Sequence, residues 1–396
     1  MKTYLKSKKL DSVCYDIRGP VMDEAQRMTA EGINILKLNI GNPAPFGFRA
    51  PQAIVDAISG NLLNTEGYCD SKGLLSAREA ILGYCRKKGI PCESVNDIYT
   101  GNGVSELITL SMQALLNNGD EVLVPEPSYV SYSPSVIFAG GRPVGVVTGQ
   151  DNGFRLRAEA VRAAITPRTK ALILPYPNNP TGGIMPREDL EKLAEVIREK
   201  KILVISDEIY SELTYGGLQH VSFASLPGMW DYTLTINGFS KAFAMTGWRV
   251  GYLCGPEPLL SVMLKIHQYS ILCAPRAGQV AATEALRTGR ENGYEDVIKM
   301  RESYDRRRRL MVEGFRSMGL DCFEPLGAFY VFPSIKRTGL SSEKFCTRLL
   351  SDKKVACVPG TAFGACGEGH IRCSYATGID KLNIALDKMS EFVKGL

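Results

Sequence analysis

The chain has 396 residues, of which 44% are hydrophobic and 22% charged, a composition typical of a globular enzyme with two domains. Its net charge of +5, from 47 basic and 42 acidic residues, predicts no nucleic-acid partner. The eleven cysteines, an odd number without a C-x-x-C pair, argue against a disulfide framework and against zinc, so we expect no metal site. No apolar stretch reaches the roughly 20 residues that cross a bilayer, and we expect a soluble, cytoplasmic protein without membrane contact.

The two ends of the chain differ in character from its middle. The C-terminal part reads as a long helical stretch, about 277–318, followed by G-A-F-Y-V-F-P, a helix, V-A-C-V-P-G and H-I-R-C-S-Y-A. This mixture predicts a small α+β domain, against which we expect the N-terminal segment to pack. We therefore predict a small domain from residues 1–45 and 286–396, with a large domain inserted over residues 46–285.

A glycine-bearing turn runs into an amphipathic helix over residues 99–110 (Y-T-G-N-G-V-S-E-L-I-T-L). Backbone N–H groups at a helix N-terminus bind phosphate, and here Gly103, Val104 and Ser105 would supply them. A plain helix start has the same pattern, but the availability of Ser240 and Arg249 favours a phosphate site. The pattern G-x-G-x-x-E is not the dinucleotide fingerprint, which needs a third glycine or alanine.

Short apolar runs alternate with helical patterns, such as 187–200, through the middle of the chain. Apolar along their whole length, these runs predict an α/β fold in which helices cover both faces of a mostly parallel sheet. The runs are Glu121–Pro125, Ala171–Pro175, Ile202–Ser206, Thr233–Asn237 and Val250–Cys254.

Polar and aromatic residues follow four of these runs. Tyr129 follows the first, Asn179 the second, Asp207 and Tyr210 the third, and Lys241 the fourth. Ligands of such sheets bind beyond the carboxyl ends of the strands, so we expect these five side chains to line one cleft.

The most informative segment is N-G-F-S-K-A-F-A-M-T-G-W-R-V-G-Y, residues 237–252, which sets Lys241 eight residues before Arg249. A lysine at the mouth of a buried sheet shifts its pKa readily, as Schiff-base chemistry requires. An arginine brought to the same place offers a planar fork for a phosphate. An aldehyde-reactive amine beside a phosphate clamp predicts pyridoxal phosphate (PLP), although a surface lysine in a turn is the simpler interpretation of the pair alone.

The other strand-end residues have roles that fit this cofactor. Asp207 would pair with a protonated pyridine nitrogen, although it could also cap a helix. Tyr210 and Asn179 could donate hydrogen bonds to the phenolic oxygen of the ring, and Tyr129 could stack on its face.

Two residues outside the predicted sheet could bind a substrate carboxylate. Arg372, in H-I-R-C-S-Y-A, offers a fork for the carboxylate, or is a surface arginine of a strand. Gly41, in N-I-G-N-P, allows close approach of its backbone because it has no Cβ. Arg18 is a candidate for a distal carboxylate, with a structural role preferred. We interpret the run Arg306–Arg309 as a solvated helix face rather than a nucleic-acid site.

These segments together resemble the class I/II aminotransferases, the fold-type-I PLP enzymes, over nearly the whole chain. The motifs N-N-P-T-G and S-K-A-F-A-M-T-G-W-R-V-G carry the likeness. It implies a seven-stranded, mostly parallel sheet between helices, and a smaller α+β domain. The N-terminal third resembles glutamate–pyruvate (alanine) aminotransferases, and the C-terminal part resembles broad or aromatic aminotransferases.

The resemblance also implies residue roles. It makes Lys241 the Schiff-base lysine, Asp207 the partner of the pyridine nitrogen, and Tyr210 a catalytic contact of the ring oxygen. The expected cofactor ligands are Gly103, Val104, Ser105, Tyr129, Asn179, Ser240 and Arg249, joined by Tyr68 from the neighbouring subunit of a homodimer. The expected substrate ligands are Gly41, Asn179 and Arg372.

The predicted activity is ping-pong transfer of the α-amino group of an L-amino acid to 2-oxoglutarate or pyruvate, with alanine/glutamate or broad/aromatic specificity. A PLP-dependent C–S β-lyase would need the same lysine, aspartate and arginine, so these residues leave that alternative open. A PLP-fold transcriptional regulator would carry an added helix-turn-helix domain, and the enzyme motifs begin by Gly41 without room for one.

Overall fold

A computed structural model describes residues 5–13, 19–43 and 47–396 of the chain. Arg18 lies outside the described residues. The α-helices are α1 (Pro20–Ala30), α2 (Gln52–Asn61), α3 (Leu75–Lys87), α4 (Val104–Leu115), α5 (Tyr132–Phe138), α6 (Ala158–Ala164), α7 (Arg187–Lys200), α8 (Glu257–Ser270), α9 (Arg276–Glu291), α10 (Glu295–Ser317), α11 (Ser342–Lys353) and α12 (Ile379–Lys394). The strands are β1 (Leu36–Lys37), β2 (Ile98–Gly101), β3 (Glu121–Glu126), β4 (Arg142–Val147), β5 (Thr169–Leu174), β6 (Leu203–Asp207), β7 (Thr233–Gly238), β8 (Gly251–Cys254), β9 (Tyr330–Val331), β10 (Val355–Ala356), β11 (Val358–Pro359) and β12 (Ile371–Ser374).

The largest sheet has seven strands in the order β2-β8-β7-β6-β5-β3-β4. Strand β8 is antiparallel to both of its neighbours, and all other pairs are parallel. Each of the five predicted apolar runs overlaps one of these strands, namely β3, β5, β6, β7 and β8. The predicted α/β class with a mostly parallel, seven-stranded sheet is therefore confirmed.

Helices cover both faces of this sheet. On β5, Leu172 packs into a core with Leu193 of α7, whereas its neighbour Ile173 packs on the other face with Met112 of α4. All four of these side chains are buried. Since successive strand residues point to opposite faces, a strand buried on both sides has to be apolar throughout, as these runs are.

A separate core joins the N-terminal and C-terminal parts of the chain. Ala25 of α1 and Leu38 beyond β1 pack with Phe345 of α11 and Leu382 of α12, all of them buried. In addition β1 pairs with β10, and β9, β11 and β12 form a small antiparallel sheet. This packing agrees with a small domain built from both ends of the chain, whose boundaries stay a prediction.

The structure refines one expectation for the C-terminal helices and contradicts another. The helical stretch 277–318 is divided into two helices, because α9 ends at Glu291 and Tyr294 has a left-handed backbone (φ 63°), held by its N–H donating to Asn292 Oδ1 at 3.0 Å. The arginine run is only partly solvated. Arg308 is 4% exposed and pairs with Asp305 and Glu324, since its turn of α10 faces the core.

Arg307 is the other arginine of the run that turns away from solvent, and it donates to the carbonyl oxygens of Ala376 and Thr377. It also lies 4.7 Å from the ring centroid of Phe48. Across the described part of the chain, no helix combines the length and the apolar character needed to span a membrane.

Candidate active site

A cavity of about 330 Å³ lies beyond the carboxyl ends of β5, β6 and β7. It brings together eleven of the thirteen predicted site residues, and Gly103 and Tyr68 are not among its lining residues. The predicted residues in its wall are Gly41, Val104, Ser105, Tyr129, Asn179, Asp207, Tyr210, Ser240, Lys241, Arg249 and Arg372. The residues predicted beyond the strand ends therefore line one cavity, while the role of each residue stays a prediction.

Lys241 follows β7 and extends its amine into the cavity. Its Nζ donates to the carbonyl oxygen of Gly41 at 2.9 Å and lies 5.4 Å from the ring centroid of Phe329. Burial, and then the positive charges of Arg372 and Arg249, lower the pKa of Lys241 to about 8. A substantial fraction of this amine is therefore neutral, and so nucleophilic, at pH values just above neutrality.

Asp207 is the last residue of β6 and is 5% exposed. Its Oδ2 accepts a hydrogen bond from the hydroxyl of Tyr132 at 2.8 Å, and its Oδ1 accepts one from the backbone N–H of Ile209 at 3.1 Å. Burial raises the pKa of Asp207 to about 6, although both hydrogen bonds act in the opposite direction. The carboxylate is therefore placed to receive a cationic or proton-sharing group inside the cavity.

The N-terminus of α4 and Arg249 form one end of the cavity. Gly103 precedes α4 with φ +82°, and a Cβ there would lie 2.5 Å from Arg249 Nη2, so this position excludes a side chain. The guanidinium of Arg249 donates to the carbonyl oxygens of Thr246 at 3.0 Å and Asn102 at 3.2 Å, which fixes it beside the helix terminus. Backbone N–H groups and a guanidinium that converge in this way suit an anion.

Arg372 of β12 brings a second guanidinium to the cavity wall, from the C-terminal part of the chain. It is 4% exposed, donating through Nη1 to Asn179 Oδ1 at 3.0 Å and through Nη2 to the carbonyl oxygen of Asn39 at 2.8 Å. Its guanidinium lies 4.5 Å from the ring centroid of Tyr330. Its Nε is buried and has no hydrogen-bond partner among the described residues. The guanidinium is thus held rigidly at the wall of the cavity.

Gly41 is placed close to Tyr330 rather than facing open space. A Cβ on Gly41 would lie 2.0 Å from the Tyr330 hydroxyl and 3.2 Å from the Phe329 ring. The Tyr330 and Tyr210 hydroxyls are 3.0 Å apart and share a hydrogen bond. Burial, and then Tyr330, raise the pKa of Tyr210 well above its usual value, so Tyr210 keeps its hydroxyl proton.

Sequence reasoning missed several residues of the cavity wall, notably Asn39, Tyr132, Thr246 and Tyr330. Tyr132 stands three residues after Tyr129 beyond the same strand, which is a signal that could have identified it. Tyr330 lies in G-A-F-Y-V-F-P, a segment whose sequence predicts part of the small domain but no role in a site. Its place beside Arg372 depends on the pairing of β9 with β12, which sequence spacing does not reveal.

Tyr68 is 80% exposed on the surface and does not line the cavity of its own chain. The carbonyl oxygens of Gly67 and Tyr68 accept hydrogen bonds from Arg276 at the start of α9, at 3.3 and 3.4 Å. The tyrosine is therefore presented to solvent on a loop that hydrogen bonds anchor to α9.

Three cysteines meet although no C-x-x-C spacing predicted it. The Sγ atoms of Cys85, Cys92 and Cys254 all lie within 4.8 Å of one another, and all three residues are buried between α3 and β8. Structural zinc sites have four protein ligands, so this trio is one short. We interpret it as a group of reduced core thiols.

Taken together, the fold and the cavity define an α/β enzyme that combines a low-pKa lysine amine, a buried carboxylate and two arginines. The sequence model of the family described as "Aminotransferase class I and II" matches residues 33–388. The chain belongs to this family, whose members use PLP and act on amino acids and 2-oxo acids.

Individual relatives agree with this assignment. A putative aminotransferase, YugH, of Bacillus subtilis is 47% identical over 82% of the chain and 83% of its own length. The glutamate–pyruvate aminotransferase AlaA of Haemophilus influenzae is 39% identical over 99% of both chains. The crystal structure of the aromatic aminotransferase of Pyrococcus horikoshii superposes with a TM-score of 0.88 at 40% identity, covering 95% of this chain and 99% of its own. The predicted aminotransferase activity and the likeness to alanine and aromatic types are thereby confirmed.

Proposed function

We propose that the cavity binds PLP on Lys241 and transfers amino groups by a ping-pong reaction between L-amino acids and 2-oxoglutarate or pyruvate. The observation that carries this proposal is the convergence of Lys241, Asp207 and Arg249 with the N-terminus of α4 in one cavity of about 330 Å³. Bound PLP supplies an aldehyde for the amine and an electron-poor ring that takes up the electrons of a Cα carbanion.

The donor set of the cavity fits the three polar parts of PLP. The N–H groups of Gly103, Val104 and Ser105, with the hydroxyls of Ser105 and Ser240 and the Arg249 guanidinium, would hold the phosphate. Asp207 would hold the ring nitrogen from the end of β6. Asn179 and Tyr210 would donate to the ring oxygen, and Tyr129 would cover the ring face.

Lys241 would act twice in each half-reaction. Its amine would first carry the cofactor, which its lowered pKa of about 8 favours. Once the incoming amino acid has displaced it, the free amine would remove the Cα proton and return a proton to the cofactor carbon. The contact with the Gly41 carbonyl oxygen, at 2.9 Å, holds the amine in the cavity.

Arg372 would bind the α-carboxylate of the substrate. Both of its Nη atoms are already held by Asn179 and Asn39, which fixes the guanidinium plane, and its buried Nε has no partner among the described residues. The backbone of Gly41 borders the same part of the cavity. Fixing the carboxylate in this way orients Cα toward the Lys241 amine, which is an effect of proximity.

We propose alanine/glutamate or broad/aromatic specificity, because the relatives named above include a glutamate–pyruvate and an aromatic aminotransferase. Amino donors of both types, tested against 2-oxoglutarate and pyruvate, would rank these alternatives. The relatives favour transamination over a C–S lyase reaction. Release of pyruvate and ammonia from cystathionine without an oxo-acid acceptor would overturn that preference.

We also propose a homodimer in which Tyr68 reaches the partner's cofactor phosphate. Large apolar side chains are exposed in residues 62–75 and 262–272, and exposed apolar surface of this kind is typical of a protein interface. These side chains are Leu62, Leu63, Tyr68, Leu75, Val262, Tyr269 and Leu272. Hydrogen bonds from Arg276 and Gln279 to Gly67, Tyr68 and Cys69 hold the loop of Tyr68 against α9. Analytical ultracentrifugation, with Leu63→Glu as a disrupting variant, tests the dimer.

The cofactor proposal is tested by adding PLP to the purified protein. We expect visible absorbance that borohydride bleaches, leaving a stable label on the peptide that contains Lys241. A protein that stays colourless with added PLP, or a label on another lysine, contradicts the proposal.

A further inference from the structure

Asp207 is contacted by a tyrosine for which the predicted cofactor site has no role. The hydroxyl of Tyr132 donates to Asp207 Oδ2 at 2.8 Å, while the backbone N–H of Ile209 donates to Oδ1 at 3.1 Å. The exposed fraction is 4% for Tyr132 and 5% for Asp207. The contact is thus shielded from water. In such a buried environment a hydrogen bond to a charged group is strong.

The proton of this contact belongs to the tyrosine. Burial, and then the charge of Asp207, raise the pKa of Tyr132 well above its usual value, so its hydroxyl stays protonated and donates. Burial raises the pKa of Asp207, and the Tyr132 hydroxyl is the largest of the effects that lower it. The other charged groups acting on Asp207 are its neighbour Glu208, which raises the pKa, and Lys241, which lowers it.

Tyr132 is also held firmly in place. It begins α5 and packs in the core between α4 and the sheet, with its ring edge-on to Tyr129 at a centroid separation of 5.7 Å. Because both ends of the hydrogen bond are fixed, one lone pair of the Asp207 carboxylate is committed to the Tyr132 hydroxyl at the cavity wall. The remaining lone pairs of the carboxylate are then left for a ligand in the cavity.

We propose that Tyr132 is a positioning residue whose hydroxyl keeps Asp207 a weak base, so that the proton they share with bound PLP stays on the ring nitrogen. This inference rests on the proposed function. A carboxylate that has already accepted a hydrogen bond competes less well for the pyridinium proton. The ring consequently remains electron-poor, which is the property that the reaction requires of it.

A simpler role for Tyr132 is to fill the core and satisfy its own hydroxyl, as buried tyrosines usually do. The variant Tyr132→Phe removes the hydroxyl and keeps the ring. The matched control is Tyr176→Phe, because Tyr176 is also buried, donates to the carbonyl oxygen of Phe154 at 2.8 Å and does not line the cavity.

The first measurement is the ¹⁵N chemical shift of PLP labelled at the ring nitrogen and bound to the holoenzyme. We expect the wild-type protein and Tyr176→Phe to show the pyridinium value. In Tyr132→Phe the resonance should move toward the value of neutral pyridine, because Asp207 becomes the stronger base. An unchanged shift in Tyr132→Phe would overturn the proposal.

The second measurement compares the affinities of the apoprotein for PLP and for an analogue in which carbon replaces the ring nitrogen. Tyr132→Phe should bind PLP about tenfold more weakly, and the analogue at least as tightly as the wild-type protein does, because the analogue offers Asp207 no nitrogen. Equal losses for both ligands would show a packing role and overturn the proposal. A wild-type protein that binds no PLP would overturn the proposed function together with this inference, which distinguishes the two failures.

Discussion

Two walls of the cavity differ in the parts of the chain that form them and in how their charged groups are held. The sheet wall, formed by Ser105, Asp207, Lys241 and Arg249, holds ionisable groups at strand ends and a helix N-terminus. The flanking wall, formed by Gly41, Tyr330 and Arg372, comes from the N-terminal and C-terminal parts of the chain.

The two walls differ in how firmly their charges are held. In the sheet wall, the pKa of Lys241 is lowered to about 8 and that of Asp207 is raised to about 6, both chiefly by burial. In the flanking wall, Arg372 is stacked on Tyr330 and hydrogen-bonded on both sides. The sheet wall is therefore poised to change its proton state, whereas the flanking wall is built to keep one geometry.

The largest expected effect is on the sheet wall. Lys241→Ala should lower kcat about 10⁴-fold, because the variant lacks the amine that moves the Cα proton. The measurement is amino-group transfer from alanine or an aromatic amino acid to 2-oxoglutarate. The control is Lys170→Ala, an exposed lysine of β5, which should leave kcat unchanged. Comparable activity in the two variants would assign the proton transfer to another residue.

Variants of Arg372 and Arg249 test whether the two walls bind the substrate and the cofactor separately. Arg372→Lys should lower kcat/KM for amino acids about 100-fold, because an ammonium cannot replace a planar guanidinium that two hydrogen bonds hold against the Tyr330 ring. Its affinity for PLP should remain close to that of the wild-type protein. Arg249→Lys should show the reverse, with about tenfold weaker PLP binding, since Arg249 is exposed and screened by water.

A titration of PLP by absorbance and steady-state kinetics at saturating PLP separate these two effects. If Arg372→Lys weakens PLP binding as much as Arg249→Lys does, the walls are one site and the distinction fails.

The fit inside the flanking wall can be tested with Gly41→Ala. The added Cβ would lie 2.0 Å from the Tyr330 hydroxyl, so we expect the free energy of unfolding of the apoprotein to fall by about 1 to 3 kcal/mol. Tyr330→Phe removes that hydroxyl, and the double variant should recover part of the loss. The control is Gly60→Ala in α2, where nothing lies within 4 Å of the new Cβ. Additive losses in the double variant would contradict the predicted clash.

More of the sheet wall than of the flanking wall can be predicted from the sequence, for a physical reason. In a parallel sheet the strand ends meet at one edge, so Asp207 and Lys241 could be placed together from their position after apolar runs alone. The flanking wall depends on long-range contacts that no local pattern encodes. Tyr330 reaches Arg372 through the pairing of β9 with β12, and Gly41 reaches Lys241 through a hydrogen bond across 200 residues of sequence.

The same limit applies elsewhere. The helical pattern predicts a solvated face for Arg306–Arg309, but Arg308 is buried, where Asp305 and Glu324 compensate its charge. Cys85, Cys92 and Cys254 come together from separate segments, which a search for close cysteine pairs cannot detect.

The smallest expected effect is on the free energy of unfolding and concerns Lys241. Its pKa is lowered from the ordinary 10.5 to about 8, so between these values the unfolded chain binds more protons at this residue than the folded chain does. The free energy of unfolding of the wild-type apoprotein therefore rises with pH over this window, and below pH 8 the folded chain bears the full cost of the buried charge. Lys241→Met removes that cost, and the variant should be more stable at pH 7 by about 1 to 2 kcal/mol, a value reduced because the amine is partly exposed.

Urea unfolding of both apoproteins from pH 7 to pH 10 measures the difference, which should shrink steadily above pH 8. Lys170→Met, at an exposed position, is the matched control for the loss of a lysine amine. If the difference for Lys241→Met were constant, the Lys241 amine would have an ordinary pKa. The contrast between a sheet wall of poised charges and a flanking wall of fixed ones would then no longer hold.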